Sequence, residues 1–130
     1  MKNNFLVNRV AVLPGIALNA TAASTYGSAQ GVYVPKGAVI VGAREMCVGE
    51  QTNLTDASHT VALRVGTFPV VSTICIKNLG ASTVPIALTL LTAGGVYVPN
   101  DGVLNVIQQA SANSAYTGTH DFYVEYFMAT

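Results

Sequence analysis

Apolar residues in this chain recur at every second position, and turn-forming residues stop each run after a few repeats. In Thr60-Val-Ala-Leu-Arg-Val65, Val61, Leu63 and Val65 share one parity while Thr60, Ala62 and Arg64 hold the other. Side chains alternate across a strand but repeat every 3.6 residues in a helix, so this pattern specifies a half-buried strand. Thr73-Ile-Cys-Ile-Lys77 alternates in the same way, and residues 121–128 set Phe122, Val124, Tyr126 and Met128 against Asp121, Tyr123, Glu125 and Phe127. Residues 38–48 also read as a strand, with Ile40, Met46 and Val48 on one face, Glu45 on the other, and Gly42 and Arg44 interrupting the alternation.

Between the runs lie Pro14-Gly15, Pro35-Lys-Gly37, Leu79-Gly80, Gly94-Gly95, Pro99-Asn-Asp-Gly102 and Thr117-Gly118. Each supplies a φ fixed by proline or a positive φ open to glycine and asparagine, which is what a turn needs. Eighteen Val and thirteen Thr add β-branched side chains that suit a pleated surface. Two short stretches admit a helix: residues 88–93, and residues 107–112, the latter read as a strand end running into a loop. Short strands at regular intervals specify an all-β antiparallel sandwich or barrel. Gly31-Val-Tyr-Val-Pro35 recurs as Gly95-Val-Tyr-Val-Pro99, each copy followed by a glycine turn and a new strand. Two halves that enter the sheets by the same device point to a Greek-key or jelly-roll sandwich.

A length of 130 residues suits one domain with a core large enough to need no staple. The organisation expected is an extended N-terminal arm over residues 1–22 and a single β-sandwich domain over residues 23–130. Lys2 and Arg9 before the apolar run 10–18, with Ala20-Thr-Ala22 after it, outline a signal peptide. Pro14-Gly15 breaks that run and Phe5-Leu-Val7 occupies its basic region, so the segment is expected to be a retained structural arm. Cys47 and Cys75 form no metal or redox motif; a single disulfide between them is the alternative to the expected reading, two small buried side chains in strands.

Charge bounds the partners. Six Lys plus Arg balance six Asp plus Glu, and only 9% of residues are charged, against about 25% in an ordinary domain. With 51% hydrophobic residues, intrinsic disorder is excluded. The basic residues are scattered, so no phosphate-binding cluster forms and nucleic acid is not expected as a partner. No membrane is expected either, because the long uncharged stretches carry prolines, glycines and polar residues where a span needs about 20 apolar ones. A neutral, charge-poor surface favours association. Sandwich edges are usually protected by charges, and the shortage of them here predicts that neighbouring subunits cover the strands.

Catalytic constellations are weak. Ser114, His120 and Asp121 supply the residue types of a hydrolase triad, but His120 and Asp121 are adjacent in a strand and point to opposite faces. His59 reads as loop. Gly94-Gly95 lacks the following Lys of a phosphate cradle, and Asn100, Asp101 and Asp56 lack the spacing of a calcium loop. No catalytic residue, cofactor or metal is assigned. Tyr33, Tyr97, Tyr116, Tyr123 and Tyr126 could form a sugar-stacking platform, although tyrosine at strand positions more often sits at the rim of a core.

The run Val34-Pro-Lys-Gly-Ala-Val-Ile-Val-Gly42, then Thr60-Val-Ala-Leu-Arg-Val-Gly66, Leu90-Leu-Thr-Ala-Gly94, Gly118 and Tyr123-Val-Glu-Tyr126 resemble the small jelly-roll head-decoration or cement proteins of tailed bacteriophages. The resemblance covers most of residues 31–128. It implies a jelly-roll-like sandwich, a homo-oligomer with a trimer favoured, and a major capsid protein as partner. It also implies a place on the capsid surface of a virion assembled from protein made in the host cytoplasm. Phage tail or baseplate proteins and a secreted, glycan-binding adhesion module are the alternatives. The apolar, β-prone N-terminal segment is expected to dock on a neighbouring chain by strand addition. The interface residues expected are Phe5, Leu6, Val7, Val10, Val12 and Leu13 in that segment, with Tyr33 and Tyr97 in the repeated motif.

Overall fold

The computed structural model describes residues 6–18, 24–48, 60–75, 85–109 and 118–129. In chain order the strands are β1 (Leu6–Ala17), β2 (Ser24–Tyr26), β3 (Tyr33–Val34), β4 (Val39–Cys47), β5 (Thr60–Val65), β6 (Phe68–Pro69), β7 (Ile74–Cys75), β8 (Ile86–Ala87), β9 (Val96–Tyr97), β10 (Gly102–Gln109) and β11 (Thr119–Ala129). A 3-10 turn, Ser28–Gln30, separates β2 from β3. One sheet runs β1-β11-β4-β8 with β9 also on β4, and the other runs β2-β10-β5-β6 with β3 on β10 and β7 on β5. Among the described residues every strand pairing is antiparallel.

The short strands are pieces of interrupted edges: β2 with β3, β6 with β7, and β8 with β9. Treating each such edge as one strand gives spatial orders 1-8-3-6 and 2-7-4-5. That is the jelly roll, in which successive strands cross from one sheet to the other except for one hairpin, here strands 4 and 5. The all-β sandwich expected from the alternation is the fold observed.

One apolar core lies between the sheets. Leu13, Ile16, Ile40, Phe122, Val124 and Tyr126 enter it from the first sheet, and Val61, Leu63, Val65, Leu104 and Val106 from the second. Each such side chain contributes about 1.5–3 kcal/mol by leaving water. The inward parities read for β5 and β11 are those observed.

Four local readings need correction. Residues 6–17 are not an arm apart from the sandwich; they form β1, paired along its length with β11, and Ala11, Leu13 and Ile16 are buried in the core. The remainder of the expected arm, residues 1–5 and 19–22, lies outside the described residues. Pro14-Gly15 is a bulge inside β1 and not a turn, since the register shifts between Leu13 and Ile16 and Gly15 takes φ 66°. In β4 the expected faces are reversed after Gly42. Glu125 pairs with Gly42 but Tyr126 with Ile40, so Val41 is an extra residue that flips the parity. Ile40, Ala43, Glu45 and Cys47 therefore point inward, while Met46 is half-buried and Val48 exposed. Residues 88–93 form no helix. Leu90 bridges Val71, and Thr92 accepts a hydrogen bond from Gly95 N–H across a turn.

The repeated Gly-Val-Tyr-Val-Pro segments exchange partners. β3, from the first copy, pairs with β10, which follows the second copy; β9, from the second, pairs with β4, which follows the first. Their turns are tied together by Gly37 N–H to Val98 O at 2.9 Å and Lys36 N–H to Asp101 Oδ1 at 2.5 Å. The repeat marks two equivalent corners of the jelly roll.

Candidate interaction surfaces

The buried chemistry is the first place to look for a reaction. His120, on β11, is fully buried, and its Nδ1 lies 2.5 Å from Oε1 of Glu45, on β4, which is also fully buried. Neither group reaches solvent, so the pair ties the central strands of the first sheet together and is closed to substrate. Asp121 points the other way: its Oδ1 accepts the Gly15 N–H at 2.7 Å and its Oδ2 the Tyr123 hydroxyl at 3.3 Å. His120 and Asp121 thus face opposite sides of the sheet, and Ser114 and His59 lie outside the described residues. Cys47, at the end of β4, is buried. Among the described residues no group of acidic, histidine and cysteine side chains is arranged to hold a metal ion.

The outward faces carry what the surface can do. Residues opposite one another in register share a face. On the first sheet one outward row is Asn8, Phe127, Val39 and Tyr97, and another is Val12, Tyr123, Arg44 and Ala87. Between them, Val10, Glu125 and Gly42 complete a shallow trough whose walls include Arg44, Tyr123 and Ala87. Val10 is 62% exposed. The Tyr123 phenol is held above its ordinary value by burial, by the charge of Asp121 and by the hydrogen bond to it, so it faces the trough as a neutral group. One cation, one anion and several apolar side chains suit a polypeptide surface better than a phosphate or a polyanion.

The second sheet is poorer still in charge. Arg64 is the one charged residue in its described strands. Its guanidinium is engaged, with Nε donating to Asn105 Oδ1 at 3.0 Å and Nη2 to Thr25 Oγ1 at 3.4 Å. Asn105 is buried under it and donates to the carbonyls of Gly66 and Val103.

The residues expected at an interface are dispersed. Tyr33 and Tyr97 are each 58% exposed, one on each sheet, because their neighbours Val34, Val96 and Val98 turn into the core. Val10 and Val12 share the outward face of β1, whereas Leu13 is fully buried and its side chain belongs to the core. Leu6 and Val7 are the first residues of β1, opposite Ala129 and Met128; Phe5 lies outside the described residues. No aromatic platform assembles from the described tyrosines of the set, since Tyr126 is buried, Tyr33 and Tyr97 sit on different sheets, and Tyr123 belongs to a different outward row from Tyr97. The trough formed with Arg44 and Glu125 was not legible as a unit, because it depends on the β4–β11 register and on the bulge at Val41.

No protein-family model matches the chain, and none of the curated proteins does. Among solved structures, the fold is similar to a chain in the acidic stable capsid structure of Helicobacter pylori bacteriophage KHP30. The TM-score is 0.59 at 16% identity, over 98% of this chain and 94% of that one. It is also similar to a chain in the capsid asymmetric unit of cyanophage Pam1, with a TM-score of 0.57 at 20% identity over 95% and 86% of the two chains. What is shared with both is the fold, across nearly the full length of each.

Proposed function

We propose that this chain is a virion structural protein that decorates or cements a tailed-phage capsid. It binds the lattice of a major capsid protein as a homo-oligomer, with a trimer as the favoured state, and lies on the capsid surface after synthesis in the host cytoplasm. The observation that carries this reading is the likeness over 98% of the chain to a chain of a phage capsid structure. The two charge-poor outward faces support it, because lattice partners would cover apolar and hydroxyl-rich strands that an isolated soluble sandwich usually edges with charge. Catalysis has no part in the reading: the buried Glu45–His120 pair is sealed from substrate, and the outward groups suit contact with protein.

The contact residues proposed are Val10 and Val12 on the outer face of β1, with Tyr33 and Tyr97 at the two corners. Deleting the first thirteen residues is a poor test, since Ala11 and Leu13 are core residues. A sharper experiment incubates the purified chain with tailed-phage shells assembled from major capsid protein alone and measures bound copies per shell. Stoichiometric, saturable binding is expected, with occupancy falling in a Tyr33→Ala/Tyr97→Ala variant of unchanged circular dichroism. Absence of binding to the shells of its own phage overturns the reading; full occupancy by the variant overturns the contact assignment.

A further inference from the structure

β1 is a twelve-residue strand at the edge of its sheet. Among the described residues no strand pairs with its outer side, so a row of main-chain N–H and C=O groups is presented there. Natural edges are blunted by Lys, Pro, bulges or brevity. From Leu6 to Leu13 β1 has none of these, and its one charge is Arg9. The other edges are built differently. The β2–β3 edge is broken by the 3-10 turn, and β6, β7, β8 and β9 are two residues each. Only β1 offers a described edge long enough to continue a sheet.

We propose that β1 is a homotypic pairing site, at which two copies of this chain join β1 to β1, antiparallel, with Val10 opposite Val10. An extended backbone is the one partner that can satisfy alternating donors and acceptors over several residues. A contact between two copies through a continuous edge must then use β1 twice. Charge excludes one register, and the exposure of Val10 selects among the others. Centring on Arg9 sets two guanidinium groups side by side, whereas centring on Val10 places Arg9 opposite Ala11 and Asn8 opposite Val12. It also covers the most exposed large apolar side chain, Val10 at 62%, with its own copy. Pro14, which lacks an N–H, and the Gly15 bulge fall at the ends of the paired run, where they limit its length. The first sheets of two copies become one sheet, and their outward troughs adjoin.

Such a contact is two-fold and closed. It cannot build a three-fold ring, so in a trimeric assembly it links one ring to the next. The inference concerns how copies meet, and its outcome is independent of whether shells are bound.

The test is register-specific cross-linking of the full chain. In the proposed register, opposed Cα atoms at position 10 lie about 4.5–5.5 Å apart, within disulfide reach. Those at position 12 are displaced by four residues, about 14 Å along the strand. Under mild oxidation Val10→Cys is expected to give a covalent dimer and Val12→Cys none, each scored against the wild type with its own Cys47 and Cys75. Mixing Asn8→Cys with Val12→Cys is expected to restore cross-linking. In sedimentation, Val10→Lys is expected to weaken dimerisation about tenfold or more with unchanged circular dichroism. A wild type that is monomeric at every concentration, or cross-linking of Val12→Cys equal to that of Val10→Cys, overturns the proposal.

Discussion

A carboxylate inside a β-sandwich needs a partner, and Glu45 has His120 at 2.5 Å. Removing one member of a buried pair leaves the other desolvated and uncompensated, at a cost of about 3–5 kcal/mol, whereas replacing both with apolar groups is often close to neutral. His120→Leu alone is therefore expected to lower the urea midpoint sharply, and Glu45→Met/His120→Leu to recover most of the loss. Additive single-variant effects would show that the two groups act independently and would sink this account. Tyr123 supplies a second residue-scale test. Its phenol is raised from an ordinary 10.0 by burial first, then by the charge of Asp121 and its hydrogen bond. The unfolded chain thus loses this proton at lower pH than the folded one. The stability tied to it is whole below the unfolded value and is lost as pH rises through the folded value. Asp121→Asn should move the Tyr123 midpoint back toward 10.0 in ultraviolet difference titration, with Tyr123→Phe identifying its signal. An unmoved midpoint would leave burial as the whole cause.

The corner where β3, β5 and β10 meet depends on one close approach. A Cβ on Gly102 would lie 2.7 Å from Gly66 N and 3.0 Å from Val65 C, both backbone atoms that cannot swing aside. Gly102→Ala is expected to cost about 2–3 kcal/mol by overpacking. Gly15→Ala, at φ 66° with open space around it, should cost only about 1–2 kcal/mol of backbone strain. Equal losses in chemical denaturation would show that crowding at Gly102 is relieved by movement. What the chain made legible follows the same division between local and paired information. β5 and β11 alternate strictly, so their faces could be assigned from side chains alone, and the Gly-Val-Tyr-Val-Pro repeat announced two equivalent corners. β4 could not be assigned past Gly42, because the extra residue Val41 is defined only by its register against β11, and with it went the burial of Glu45. β1 carried an apolar, extended signal, but whether its partner was its own β11 or a neighbour's edge is a matter of long-range pairing, which periodicity does not encode. The trough beside Arg44 and Glu125 was hidden for the same reason.

A whole molecule with six positive and six negative groups has no long-range field to steer or strengthen association. The few charges in the strands are further reduced by local use: Glu45 is paired inside, Asp121 is bound to Gly15 and Tyr123, and Arg64 is held by Asn105 and Thr25. Arg44 and Glu125 remain on the outward face of the first sheet, one of each sign, which favours a neutral polypeptide partner without dominating its affinity. Contacts made by these faces are therefore expected to draw on apolar burial and main-chain pairing. Two consequences separate that from a charge-driven contact. Raising sodium chloride from about 0.05 M to about 0.5 M shortens the screening length from roughly 14 Å to roughly 4 Å, and the dissociation constant measured for shells or for a second copy should change by less than about threefold. Calorimetry of the same association should give a negative heat-capacity change, the mark of buried apolar surface. A steep loss of affinity with salt would mean that Arg9, Arg44, Glu125 or the charges outside the strands carry the contact, and the charge-poor faces would then need another explanation.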